Sequence, residues 1–144
     1  MTVATILRRK GHDVASISPS ARLPDIAGEL SARRIGALLV RDSAGQVLGI
    51  VSERDVVRAL AQHGLNAMDM SAAQLMTSAL FTVDPETTLA EAMTRITESR
   101  VRHLPVLENG DLIGLISIGD VVKARMSEQE TEVDSLRAYV AGSV

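Results

Sequence analysis

The sequence predicts an α+β fold: two tandem β-α-β-β-α repeats packed on each other, with a short helix at each end of the chain. Three observations lead there. The second half of the chain restates the first at a nearly constant spacing. Each half alternates short apolar runs with segments of helical periodicity. Neither half is long enough to bury its own core well, so the two should pack together.

The restatement is specific. Gly49-Ile50-Val51-Ser52-Glu53-Arg54-Asp55-Val56-Val57 faces Gly114-Leu115-Ile116-Ser117-Ile118-Gly119-Asp120-Val121-Val122, with Gly, Ser, Asp and the Val pair kept 65 residues apart. Upstream, Ile35-Gly36-Ala37-Leu38-Leu39-Val40 faces Val101-Arg102-His103-Leu104-Pro105-Val106 at a spacing of 66. The one-residue difference falls between Asp42-Ser43-Ala44-Gly45 and Glu108-Asn109-Gly110, two hairpin-turn sequences where a change of length costs little. Further back, Ser16-Ile17-Ser18-Pro19 faces Thr82-Val83-Asp84-Pro85, and the opening Thr2 to Leu7 resembles Ser71 to Met76. The chain is a tandem duplication with its seam near Gly64 to Met70. It should divide into repeat one with an N-terminal helix (1–69), repeat two (70–126) and a helical tail (127–144).

Each repeat opens with a short helix and a brief extended piece that ends at Pro19 or Pro85. A helix follows over 24–33 and over 89–99. Leu23, Ile26, Ala27 and Leu30, like Leu89, Ala92, Met93 and Ile96, keep the i, i+3, i+4, i+7 spacing of an amphipathic helix. Thr87 and Thr88 are N-cap candidates. Two strands then form a hairpin, 37–41 with 47–51 and 103–107 with 112–117, and a closing helix starts near Glu53 or Gly119. Gly64 reads as a helix C-cap, and Ser71 with Gln74 as a capping box. The tail reads as a further amphipathic helix. Its stripe of Val133, Leu136, Tyr139 and Val140 is expected to dock on its own module, the alternative being a partner or dimer contact.

Composition removes several functions. A net charge of −3 gives no electrostatic drive toward nucleic acid or an anionic membrane. With no cysteine there is no disulfide, thiol nucleophile or Cys-ligated metal. The positive charges Arg8-Arg9-Lys10 follow the first apolar stretch, where a secretory signal has them before it, and no run approaches a membrane span; the expected location is cytoplasmic. Phe81 and Tyr139 are the only aromatic residues, so stacking platforms for single-stranded nucleic acid are absent. His12, His63 and His103 show no metal-ligand spacing, no nucleophile motif or phosphate-binding Gly-rich loop occurs, and Glu53 and Asp55 point apart on a helix. No catalytic residue and no metal ligand is expected.

The doubled Gly-x-x-Ser-x-x-Asp carries the chemistry. A strand ends at Ser52 or Ser117 and a helix begins, offering unpaired N–H groups and a positive dipole end. A hydroxyl beside those donors suits a phosphate oxygen. Asp55 and Asp120 lie one turn along on the same side, where a carboxylate can accept two hydrogen bonds from a ribose diol. Gly49 and Gly114 permit close approach of a ligand or of another backbone. The plainer reading makes the Ser residues N-caps and the Asp residues first-turn acids. Two copies in register favour a site.

These motifs, with Arg-His-Leu-Pro-Val at 102–106, resemble a tandem pair of CBS domains, a Bateman module of the stand-alone bacterial type, over residues 1–126. The resemblance implies a pseudo-twofold pair of repeats that binds AMP, ADP, ATP or NADH in the cleft between them. It also implies phosphate at Ser52 and Ser117 and ribose at Asp55 and Asp120. Adenine would lie near Ile17 and Ala37 in one site and near Val83 and Val101 in the other, beside Ser16 and Thr82. Pro105 belongs to the strand that lines the second site. Arg54, Arg102 and His103 would converge on phosphate, where the plainer readings are a solvated arginine and a packed strand histidine. A free-standing sensor acts through homodimerisation or a separate regulated protein, with no catalytic cofactor. The competing reading is an interaction scaffold with vestigial sites.

Overall fold

The computed structural model describes residues 1–142. In chain order the elements are α1 (Val3–Lys10), β1 (Ser16–Ile17), α2 (Leu23–Arg33), β2 (Ala37–Arg41), β3 (Val47–Ser52), α3 (Glu53–His63), a 3-10 turn (Gly64–Asp69), α4 (Ala72–Leu75), α5 (Leu89–Ser99), β4 (His103–Glu108), β5 (Asp111–Ser117) and α6 (Ile118–Gly142). The expected α+β repeats are present, each with its helix and hairpin.

Two compact units form, and they do not follow the repeat boundaries. One is Val14–Leu80; the other joins Met1–Asp13 to the chain from Phe81 onward. The opening helix of each repeat has therefore left its own repeat for the other one. The division expected at residue 69 tracks the duplication, whereas packing tracks this exchange. The exchange is also how each unit fills a core that its own repeat leaves incomplete. Val3, Ile6 and Leu7 of α1 bury with Val83, Leu89 and Leu104, and Ala72 and Leu75 of α4 bury with Leu23, Ile26 and Leu38.

Backbone hydrogen bonds seat both exchanged helices in the same way. The first amides of α1 donate to carbonyls of the extended piece of repeat two, Val3 N to Thr87 O at 2.9 Å and Ala4 N to Pro85 O at 2.9 Å. The first amides of α4 donate to the matching carbonyls of repeat one, Ala72 N to Ala21 O at 2.7 Å and Ala73 N to Pro19 O at 3.0 Å. Donors that a helix N-terminus leaves unpaired are thus satisfied by the segment it docks on. Bridges between Thr2 and Thr88 and between Arg22 and Ser71 flank the two seats.

In the unit 14–80, β1, β2 and β3 form one sheet in that order, β1 parallel to β2 through the α2 crossover and β2 antiparallel to β3. Ala37 to Val40 of the central strand are all buried, Leu38 and Val40 in the core shared with α2 and α3. In the other unit β4 and β5 form the hairpin, and Val83 adds a short parallel bridge to Val106. The β4–β5 loop is Asn109-Gly110, both at positive φ (53° and 83°), which is the type I′ geometry that suits the twist of a hairpin. The first hairpin turns instead around Asp42, whose Oδ1 accepts from Ala44 N and Gln46 N at 2.9 Å each, which absorbs the one-residue offset between the repeats.

Local signals hold at the ends of elements. Thr88 caps α5 by accepting from Glu91 N, Ser71 and Gln74 form the capping box of α4, and Gly64 closes α3 at φ 56°. The tail departs from expectation. Residues 127–142 are not a separate helix: α6 runs unbroken from Ile118, because no Gly or Pro interrupts it near residue 126 and Arg125 pairs with Glu128 across the junction at 2.9 Å. Nor does the expected stripe dock on its own module, since Val133, Leu136, Tyr139 and Val140 are exposed. Ser143 and Val144, the end of the expected tail, lie outside the described residues.

The motif glycines serve the exchange. A Cβ on Gly49 would stand 2.7 Å from Thr77 O and 2.8 Å from Met76 Sδ, while one on Gly114 would stand 2.6 Å from Leu7 Cδ2. Of the two openings left by the sequence, ligand or backbone, the second is the one observed at Gly49. Gly49→Ala meets a backbone carbonyl that is itself paired to β3, so it should destabilise by about 1–3 kcal/mol, as overpacking does. Gly114→Ala meets the end of a flexible leucine and should cost less. Urea unfolding of both variants beside the parent checks the order; equal costs would mean that the Thr77 carbonyl yields.

Candidate functional site

Each Ser–Asp motif sits where a hairpin strand turns into a helix. Ala37 pairs with Ser52 across β2 and β3, and His103 with Ser117 across β4 and β5. The first helix amide is already used in both: Glu53 N donates to Gly36 O at 3.0 Å, and Ile118 N to Arg102 O at 2.8 Å. The second strand of each repeat is thereby fixed to the start of its closing helix.

The Ser and Asp of each motif hold one another. Ser52 N donates to Asp55 Oδ2 at 2.8 Å, Ser52 Oγ donates to the same oxygen at 3.0 Å, and Asp55 N donates back to Ser52 Oγ at 3.4 Å. Ser117 N donates to Asp120 Oδ2 at 2.8 Å and Asp120 N to Ser117 Oγ at 3.1 Å. Both are reciprocal capping boxes. The plainer reading of the motif is therefore true as far as it goes: Ser and Asp do cap their helices. In both boxes the amide bond falls on Oδ2.

The two boxes differ in what faces the carboxylate. At Asp55, Oδ1 has Arg58 Nη1 at 3.8 Å, from the exposed face of the same helix. At Asp120, Lys10 reaches in from the C-terminal end of α1, its Nζ donating to Asp120 Oδ2 at 2.7 Å and to Leu115 O at 2.8 Å. Leu115 O is the counterpart of Ile50 O, which in the other unit accepts from Thr77 N at 2.8 Å. An ammonium thus takes the place of a backbone amide, because α1 stays helical where the chain after α4 runs beside β3. His12 continues the contact, its Nδ1 bonding Ile113 O at 2.8 Å. Burial raises the Asp120 carboxyl, but the Lys10 hydrogen bond, the Ser117 amide, the Lys10 charge and the Ser117 hydroxyl outweigh it and hold the pKa below the ordinary carboxylate value.

The other expected site residues lie as follows. Ser16 and Ile17 form β1, opposite Leu39 and Val40, and Ser16 Oγ donates to Val14 O at 3.4 Å. Thr82 O accepts from Arg95 Nη1. Val83 N donates to Pro105 O at 3.0 Å, and Pro105 is fully buried. Val101 is half-buried against its unit's core. Arg54 and Arg102 are exposed and His103 is half-buried; Arg54 lies two residues from Ser52, His103 pairs directly across from Ser117, and Arg102 precedes His103 with its carbonyl accepting from Ile118 N. Arg54 belongs to one compact unit, Arg102 and His103 to the other. Among the described residues no group of three or more His, Cys, Asp or Glu is placed to hold a metal ion, and no helix is long and apolar enough to cross a membrane.

The model of the CBS domain matches twice, over residues 3–62 and 72–127. The chain belongs to the CBS-domain family. The mitochondrial CBS domain-containing protein CBSX3 of Arabidopsis thaliana is 32% identical over 98% of this chain and 72% of its own length. The chain spans only 25% of the length of other Arabidopsis relatives such as CBSCBSPB5. Among solved structures, a CBS-domain containing protein from Agrobacterium tumefaciens is 44% identical with a TM-score of 0.85, over 87% of this chain and 99% of that one. A CBS domain protein from Pyrobaculum aerophilum complexed with AMP is 27% identical with a TM-score of 0.72, over 83% of this chain and 89% of that one.

Within this CBS pair the residue that the sequence reading missed is Lys10. In the sequence Lys10 is only the last of the positive run Arg8-Arg9-Lys10, because its partner lies 110 residues away. The openings of the two repeats gave the usable signal: aligned on Thr2 and Ser71, they put Leu7 at the place of Met76, which packs on the motif glycine. A helix that reaches one motif glycine brings its last turn to that motif.

Lys10→Met should raise the Asp120 pKa, read by NMR titration of the carboxyl carbon. A group whose folded pKa is depressed contributes stability that is full above its unfolded pKa and is lost as pH falls through the folded value. The parent should therefore exceed Lys10→Met in stability near neutral pH, by no more than about 1 kcal/mol for so exposed a pair. The gap should close below about pH 4, where carboxylates ordinarily titrate. A gap that persists at pH 2 would mean that Lys10 acts through packing of its alkyl stem.

Proposed function

We propose that this CBS pair is a regulatory module that senses an adenine nucleotide, AMP or its relatives ADP, ATP and NADH, in the cytoplasm. The observation that carries the reading is the AMP-complexed relative from Pyrobaculum aerophilum, whose fold this chain shares at 27% identity. Support within the chain comes from the twice-retained Ser and Asp at a strand-to-helix junction. Ser52 and Ser117 would take phosphate, and Asp55 and Asp120 would take the ribose diol through the oxygen that the capping amide does not use. Ile17, Ala37, Val83 and Val101, beside Ser16 and Thr82 and with Pro105 behind, would flank the base. Arg54, Arg102 and His103, next to the motif serines, would supply charge to phosphate. Lys10 joins this set at the second motif.

The module regulates rather than catalyses, as CBS domains generally do, and it passes nucleotide occupancy to a second copy or to a separate regulated protein. Val57 and Leu60, exposed apolar residues on α3, support self-association. The second reading is a scaffold with vestigial sites. It is favoured by the closed capping boxes, which give Ser and Asp a structural reason to be retained.

Isothermal titration of AMP, ATP and NADH into the parent, Asp55→Ala and Asp120→Ala decides between them. Hydrogen bonds to a carboxylate contribute about 1.5–3 kcal/mol, so loss of the diol contact should weaken binding roughly 10–150-fold at the affected site. Parent protein that stays folded, is free of co-purified ligand, and gives no heat with any of the three would leave the scaffold reading standing.

A further inference from the structure

The second half of α6 carries a surface that the nucleotide reading does not use. Val121 and Ala124 bury α6 against its own unit, yet Val122, Met126, Val133, Leu136 and Val140 are exposed, Leu136 by 63% and Val140 by 58%. With Gln129 they advance in alternate steps of four and three. That is a 3.5-residue repeat, the seam of a coiled coil rather than the broader 3.6-residue face of a helix lying on a globular core. Met126, Val133 and Val140 fall on the a positions and Val122, Gln129 and Leu136 on d. Val at two of the three a positions with Leu136 at d suits two parallel strands, and Gln129 is the one polar side chain in the seam.

Charge points to a copy of the same helix. Beside the seam, Glu130 and Arg137 hold e positions, and Arg125 and Glu132 hold g. In a parallel in-register pair each g residue faces the e residue five places on in its partner, so Glu132 meets Arg137 and Arg125 meets Glu130, each twice by symmetry. Arg125 already pairs with Glu128 within the chain, which leaves the Glu132–Arg137 contact as the new one. A non-self helix would need this pattern by coincidence; a second copy has it by construction.

We propose that residues 126–142 of α6 pair with the same segment of a second copy of this chain as a parallel two-stranded coiled coil. The pairing rests on the self-association part of the function proposed above and is independent of nucleotide. A segment this short is marginal as an isolated helix. Here its first turns are already held by the buried Val121 and Ala124.

The full chain has no cysteine, so Val133→Cys introduces a single thiol. At an a position of a parallel pair the two thiols approach within the roughly 4.4–6.8 Å Cα separation that a disulfide needs. Mild oxidation should link Val133→Cys to itself and leave Ala138→Cys, on the outer face, unlinked. In light scattering, Leu136→Asp should weaken the dimer by at least about tenfold, since it sets two carboxylates together in an apolar seam. Dimeric mass without a Val133→Cys link would overturn the coiled coil while leaving self-association and nucleotide binding intact. So would equal linking of both variants or a dimer indifferent to Leu136→Asp. A monomer at all concentrations would overturn the pairing and the self-association reading together, and titration of nucleotide would still stand as a separate result.

Discussion

The exchange of opening helices is the constraint on which the other features depend. A repeat of this length closes a sheet and two helices around a core that it does not fill alone, and the opening helix of the other repeat enters that same core. Four backbone hydrogen bonds, from Val3, Ala4, Ala72 and Ala73 to the extended pieces, seat each incoming helix. The glycine of each motif then lets that segment approach β3 or β5 closely. What reads as a ligand-binding glycine is first a packing glycine, and the Ser–Asp box that follows it inherits a fixed position.

From this constraint comes the difference between the two motifs. The duplication gave both the same Ser and Asp, but the segments docked on them diverged. After Leu75 the chain leaves helix and pairs with β3 through Thr77, so the Ile50 carbonyl is satisfied by a backbone amide. After Leu7 the chain stays helical for a further turn, and the corresponding Leu115 carbonyl is satisfied by Lys10, which also reaches Asp120. The Asp120 carboxylate thus takes its cation from the opposite repeat, whereas Asp55 has Arg58 of its own helix beside it at 3.8 Å. The difference between the motifs thus rests on a residue that neither motif contains.

What was legible in the sequence is what is local. Capping boxes at a spacing of three, the Asn109-Gly110 turn and the apolar stripes of α2 and α5 fixed those elements to within a residue or two, because each is decided by neighbours along the chain. Even locally, Arg34 and Arg100 close α2 and α5 in the left-handed region without glycine, at φ 54° and 55°, a solution that residue type does not announce. The extent of α6 was hidden because its stripe turns from inward to outward near residue 126 while the backbone has no reason to stop. Helix continuity is set by backbone chemistry, and the direction a stripe faces is set by what lies beside it. The exchange itself was hidden because repeats report homology, and homology is silent on which copy a helix docks against.

The closed capping boxes specify what a ligand would have to compete with. A diol at Asp120 would meet a carboxylate that already accepts from Ser117 and from Lys10. The Ser117 amide uses one lone pair in the helix cap and asks for nothing to move. The Lys10 ammonium is different: it is partly exposed, and it holds the last turn of α1 to β5. If a nucleotide displaced Lys10 from this carboxylate it would change how firmly α1 is held, and by linkage anything that loosened α1 would change the affinity for nucleotide by the same factor. At the first motif the cation beside the carboxylate is Arg58 of the same helix, so its displacement would not loosen an exchanged helix. Two motifs made alike by duplication therefore differ in how their carboxylates are held, and the difference turns on a single lysine supplied by the opposite repeat.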